Sequence, residues 1–161
     1  MNRLLLLFFL LLLQLSLVSA QTKDTVRVMV YNLLNYPDGS NSCSNNTIIS
    51  GRQDTLKKII DYIQPDVLMV CELQHGPGGI SILNSALNTD GKSNYAMAPF
   101  IPNNSGASNL NNGFYYNTDQ FSINENTLHK TTLRDIGRYQ LQYNVPSSNG
   151  QPIHIDFLLG H

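Results

Sequence analysis

The sequence holds 161 residues with 10 basic and 11 acidic side chains, and a formal charge of −1 lacks the basic footprint of a protein that grips nucleic acid tightly and without selectivity. A nuclease of modest, metal-assisted affinity remains compatible with it. Setting aside the first 20 residues leaves 161 − 20 = 141, enough for one domain with a core of its own and too few for two.

Met1 to Gln21 combine the cationic Arg3, a Leu/Phe run from Leu4 to Leu13 and the small-residue ending Val18-Ser19-Ala20. That order predicts a signal peptide over residues 1–20, cleaved after Ala20, rather than a membrane anchor, because Gln14 interrupts the apolar run. The mature chain, 21–161, then carries 9 basic and 11 acidic groups, a charge of −2, and no second membrane-spanning run. Export places the protein outside the cytoplasm, secreted or periplasmic. There Cys43 and Cys71 could pair, but Cys71 lies in an apolar run and reads better as a buried thiol. Asn45-Asn46-Thr47 and Asn103-Asn104-Ser105 match the N-glycosylation acceptor pattern.

Val26, Val28 and Val30 alternate with Arg27, Met29 and Tyr31, predicting a strand with one face strongly buried, which ends at Asn32. Tyr36-Pro37-Asp38-Gly39 reads as a turn, and the Ser/Asn-rich stretch to Asn46 as a loop. Ser50 and Gln53 have the spacing of a capping box, and Leu56, Ile59, Ile60 and Ile63 predict a helix over Arg52 to Ile63. Pro65-Asp66 stops it. Val67 to Cys71 is apolar on both faces, as in a central strand covered on each side, and ends in the charge of Glu72. After the turn at His75 to Gly79, Ile80, Leu83 and Leu87 predict a second short helix. Strands then follow at Tyr95 to Ala98, Gly113 to Tyr116, Phe121 to Ile123, Tyr139 to Val145 and Ile153 to Leu159, with Asn117 to Gln120 and Pro146 to Gly150 as hairpin loops.

Asn32, Glu72 and His161 each follow an apolar strand, and in layered α/β proteins the carboxyl ends of strands gather where ligands bind. Oxygen donors converging there suit a hard cation such as Mg2+. Each residue also has an ordinary explanation: Asn as a turn former, Glu as a solvated strand end, His as the final residue of the chain. His75, His129 and His154 fit no catalytic motif, and His154 alternates with Ile153 and Ile155 as a surface histidine would.

VYNLLNYP at Val30 to Pro37, PDVLMVCELQ at Pro65 to Gln74, NNGFYYNTDQF at Asn111 to Phe121, and GRYQLQY leading to the strand before Gly160-His161 together resemble the endonuclease/exonuclease/phosphatase superfamily, the deoxyribonuclease I-like group. The form of YNLLNYP is similar to that of secreted bacterial members. The resemblance implies an α/β fold, a two-sheet sandwich flanked by helices in four α/β/β/α layers, incomplete at its C-terminus here. It implies Mg2+-dependent phosphoester hydrolysis, with Mn2+ or Ca2+ as alternative ions, on nucleic acid or phospholipid. By the same resemblance Glu72 is the principal metal carboxylate, Asn32 contacts metal or phosphate, and His161 contacts the scissile phosphate. Arg138, expected just before its strand, steadies the phosphate, with Arg134 as the competing choice.

Leu34 stands where exonuclease-like members carry an acid, and the family's Gly-Asp-x-Asn and Ser-Asp-His segments do not occur. The chain is therefore expected to hold half a site and to be inactive by itself. The competing functional class is a non-catalytic secreted binding module that keeps the scaffold.

Overall fold

The computed structural model describes residues 25–37, 51–105 and 110–160. The predicted signal peptide, Cys43, the Asn45 acceptor site, Ser50 of the expected capping box and His161 lie outside the described residues. Among the described residues no helix is long and apolar enough to cross a membrane.

Among the described residues seven strands and two α-helices follow one another: β1 (Val28–Tyr36), α1 (Arg52–Ile63), β2 (Val67–Leu73), α2 (Gly76–Ile82), β3 (Tyr95–Met97), β4 (Asn111–Asn117), β5 (Phe121–His129), β6 (Ile136–Tyr143) and β7 (Ile153–Leu159). They form a four-stranded sheet in the order β1-β2-β4-β3 and a three-stranded sheet in the order β5-β6-β7. β1 and β2 run parallel, as their connection through α1 requires, and every other pairing is antiparallel.

The two cores lie on opposite faces of the first sheet. Leu56 and Ile60 of α1, with Ile82, Ala86 and Leu87 from α2 and its extension, pack on Leu68, Val70 and Tyr115. On the other face Val67, Met69, Phe114 and Tyr116 meet Phe121, Tyr139, Leu141 and Leu159 of the second sheet. Phe114 and Tyr139 stack across the gap with ring centroids 4.2 Å apart. The layers are thus helix, sheet, sheet, an α/β sandwich. Among the described residues no helix covers the outer face of the second sheet.

β2 bears out the reading of a doubly covered strand, since all its residues but Glu72 are buried. α1 matches its expected span, but its N-cap is Gly51 in the left-handed region, with no side-chain cap. In two elements the buried faces differ from the apolar residues that marked the element in sequence. On β1 the buried residues are Met29, Leu33, Asn35 and Tyr36, while Val28 and Val30 are exposed: β1 is an edge strand, and of the valines it is Val26, just ahead of it, that packs against the inter-sheet core. On α2 the buried side is Ile82, Ala86 and Leu87, while Ile80 is exposed. There a π-helical turn over Leu83–Leu87 inserts a residue and breaks the 3.6-residue period.

Asn117 to Gln120 is not the loop of a paired hairpin. It carries the chain from β4 in the first sheet to β5 in the second, while the β6–β7 connection is a true hairpin. β5 and β6 also start or run further than expected, and Arg138 consequently lies inside β6 rather than ahead of it.

Candidate functional site

β1 continues past Asn32 to Tyr36, but not as a regular strand. Between the pairs Asn32↔Cys71 and Tyr36↔Leu73 it takes four residue steps against two on β2. The surplus is absorbed at Leu34 and Asn35, both left-handed with φ of 48° and 57°. β2 has its own irregularity against β4, where three steps from Val70 to Leu73 face two from Gly113 to Asn111. Glu72 lies in that bulge with φ of 60°. Bulges that re-aim side chains cluster beside active sites, and a left-handed residue other than glycine costs about 1–2 kcal/mol. Adjacent strands therefore break register at the same edge, one at Asn32 and the other at Glu72.

Asn32 Nδ2 donates to Glu72 Oε1 at 3.0 Å, and Asn32 Oδ1 accepts from the Leu34 amide at 2.8 Å. The side chain of Asn32 thus ties the carboxylate to the left-handed turn of its own strand. Beside it, Tyr31, Asn32, Leu34, Tyr36, Arg52 and Thr55 line part of an open cavity of about 370 Å³. Cys71, next to Glu72, is a buried free thiol whose Sγ lies 4.0 Å from the Tyr31 carbonyl. Burial pushes its pKa up, the Glu72 charge adds to this, and the charge of Arg134 opposes it.

Of two buried polar groups that sequence reasoning did not single out, Asn111 pins this edge and Asp135 gathers the loops that flank β4 and β6. Asn111 donates to the carbonyls of Leu73 at 3.0 Å and Gln74 at 2.8 Å, directly after Glu72, and accepts from the Asn103 amide at 2.7 Å. Asp135 accepts from the Ser105 hydroxyl, from the Asn104 amide at 2.9 Å and from the Thr131 amide at 3.0 Å. The Ser105 bond, then burial acting against it, then the amide bonds leave its pKa lowered. Asn103, the second glycosylation candidate, has its own amide engaged, with Oδ1 accepting from Ser105 and Asp135. The only available signal for Asn111 was its place in the NNGFYY segment. Nothing local marks Asp135 as buried.

The structure brings Asn32 and Glu72 together and puts Arg138 elsewhere. Arg138 alternates with Tyr139 and Leu141, which face the inter-sheet core, so it stands on the outer face of the second sheet. There it is paired with Glu125 and, at 2.7 Å, with Asp156. His75 caps α2, with Nδ1 accepting from the Gly78 amide at 3.0 Å, and His154 is exposed on β7.

No family model and no curated protein matches the sequence. Solved structures do. The human Nocturnin catalytic domain with bound sulfate aligns at a TM-score of 0.53 and 20% identity, over 83% of this chain and 49% of that one. Humanized D. rerio TDP2 aligns at 0.53 and 14% identity, over 83% and 46%. ANGEL2, a 2',3'-cyclic phosphatase, aligns at 0.55 and 19% identity, over 83% and 39%. All three neighbours belong to the endonuclease/exonuclease/phosphatase superfamily. The chain has the fold of that superfamily. It spans less than half the length of each of these structures.

As a cation site, the pair offers one carboxylate and one amide. Among the described residues no group of three or more His, Cys, Asp or Glu could enclose a metal. One carboxylate with retained water suits Mg2+, which dehydrates reluctantly. The donor set fits a hard cation as a partial shell.

Proposed function

We propose that the chain carries the metal-binding half of a secreted phosphoester hydrolase, with Glu72 as the anionic ligand of Mg2+, or of Mn2+ or Ca2+ in its place. The observation that carries this is the 3.0 Å contact between Asn32 and Glu72, made from two register breaks at one sheet edge. The fold shared with a 2',3'-cyclic phosphatase supports phosphoester chemistry. When bound, the cation would neutralise phosphate oxygens as water attacks phosphorus. Asn32 holds the Glu72 carboxylate in place and is the candidate second contact to metal or phosphate. Arg134 and His161 are the proposed phosphate contacts; Arg138, committed to two carboxylates on the outer face of the second sheet, ranks behind Arg134.

Little turnover is expected from residues 21–161 by themselves. Among the described residues no histidine is ion-paired to a carboxylate, and general-base assistance is typically worth about 10² to 10⁴ in rate. Export is part of the same proposal, supported by the order of Arg3, the Leu/Phe run and Ala20.

The test is Mn2+ binding followed by electron paramagnetic resonance, beside Mg2+-dependent cleavage of plasmid DNA, sphingomyelin and a chromogenic phosphodiester. Glu72→Gln should weaken metal binding in the chain and hydrolysis in any longer form that turns over. Metal binding indifferent to Glu72→Gln would overturn the proposal and favour a non-catalytic module. Robust turnover by residues 21–161, abolished by Glu72→Ala, would refute the half-site.

A further inference from the structure

Arg52, the first residue of α1, reaches back across the chain to the irregular end of β1. Its Nη2 donates to the Leu33 carbonyl and, at 2.9 Å, to that of Leu34. Its Nη1 donates to Pro37 at 3.2 Å and to Asn35 at 3.5 Å, and the guanidinium lies 5.4 Å from the centroid of the Tyr36 ring. One planar fork thus gathers carbonyls of and around two left-handed residues, a conformation that asparagine tolerates but that the leucine at 34 disfavours. The amide of Leu34 in turn holds Asn32 Oδ1, and Asn32 Nδ2 holds Glu72. A continuous path of hydrogen bonds runs from Arg52 through the bulge to the carboxylate.

We infer that Arg52 is a positioning residue for the cation site: its guanidinium fixes the left-handed turn at Leu34 and Asn35 and thereby the Asn32–Glu72 pair. The inference rests on the metal-site reading above for its consequence, while the geometric part stands without it. Lysine keeps the charge and most of the stem, but its compact ammonium cannot span carbonyls from four residues as the planar fork does.

The experiment compares the full-length protein with Arg52→Lys by the side-chain amide resonance of Asn32, by Mn2+ affinity and by thermal midpoint. Arg52→Lys should shift or broaden the Asn32 resonance in the metal-free protein and weaken Mn2+ binding about 10- to 100-fold, the usual scale for groups that orient a ligand. A structural role alone would lower the midpoint and leave both site readouts unchanged, which overturns the inference. A wild-type protein that binds no Mn2+ sinks the metal reading, and the Asn32 resonance then still decides the clamp. Should Arg52→Lys fail to fold, Mg2+ titration of the wild type should move the Arg52 Nε and Asn32 side-chain resonances together. An Arg52 signal that stays silent while Asn32 responds overturns the inference.

Discussion

The two sheets differ in how they are covered, and polar residues behave differently in each. The first is packed on both faces, by helices on one side and the second sheet on the other. A charge has no place along β2 until the strand ends, and Glu72 appears there, in a bulge that turns it out of the packed layers. The second sheet is packed on one face only among the described residues, so Arg138, Gln140 and Asp156 can sit in mid-strand and bond to one another. A polar residue closing a doubly covered strand is therefore informative about function. One inside a singly covered strand has an ordinary explanation in its cross-strand neighbours.

The largest effect should come from the joint between the sheets. Phe114→Ala removes a side chain that is 1% exposed and stacked on Tyr139, and should cost about 3–5 kcal/mol in urea unfolding. A loss below about 1 kcal/mol would mean that the sheets are not joined through this contact.

Next in size is Asp135, which gathers the hydroxyl of Ser105 and the amides of Asn104 and Thr131. Its folded pKa is lowered, chiefly by the Ser105 bond, so its contribution is complete above the unfolded value of about 3.9 and is lost as pH falls below that through the folded value. Urea midpoints should drop between pH 5 and pH 2.5, and Asp135→Asn should flatten that part of the profile. An unchanged slope in the variant would assign the acid sensitivity to other carboxylates.

Glu72→Gly should act in the opposite direction. Glycine takes φ of 60° freely, so the variant should gain about 1 kcal/mol of stability while losing metal affinity, the trade expected where strain serves function. A destabilised variant would make Glu72 a structural strut.

Arg138→Met should have the smallest effect. Its partners lie on a face open to solvent, where ion pairs contribute little, and the unfolding midpoint should scarcely move. A large loss would show that the outer face of the second sheet is covered in solution.

The hydrophobic pattern determined α1 and the buried β2 that closes on the charge of Glu72, because a 3.6-residue stripe and an unbroken apolar run each admit few environments. The motif resemblance brought the sandwich fold into view, and the solved structures share it. Which face of β1 is buried was not legible, since Val28 and Met29 are both apolar and only the place of β1 at the edge of its sheet separates them. The crossing of Asn117 to Gln120 between sheets has the same turn residues as a hairpin loop, so its role depended on where β5 found its partner. The contact of Asn32 with Glu72 spans 40 residues of sequence, and Arg52 reaches Leu33 over 19. Tertiary structure alone decided those meetings, because two bulges and a left-handed turn, none visible in hydrophobic pattern, set where the side chains point.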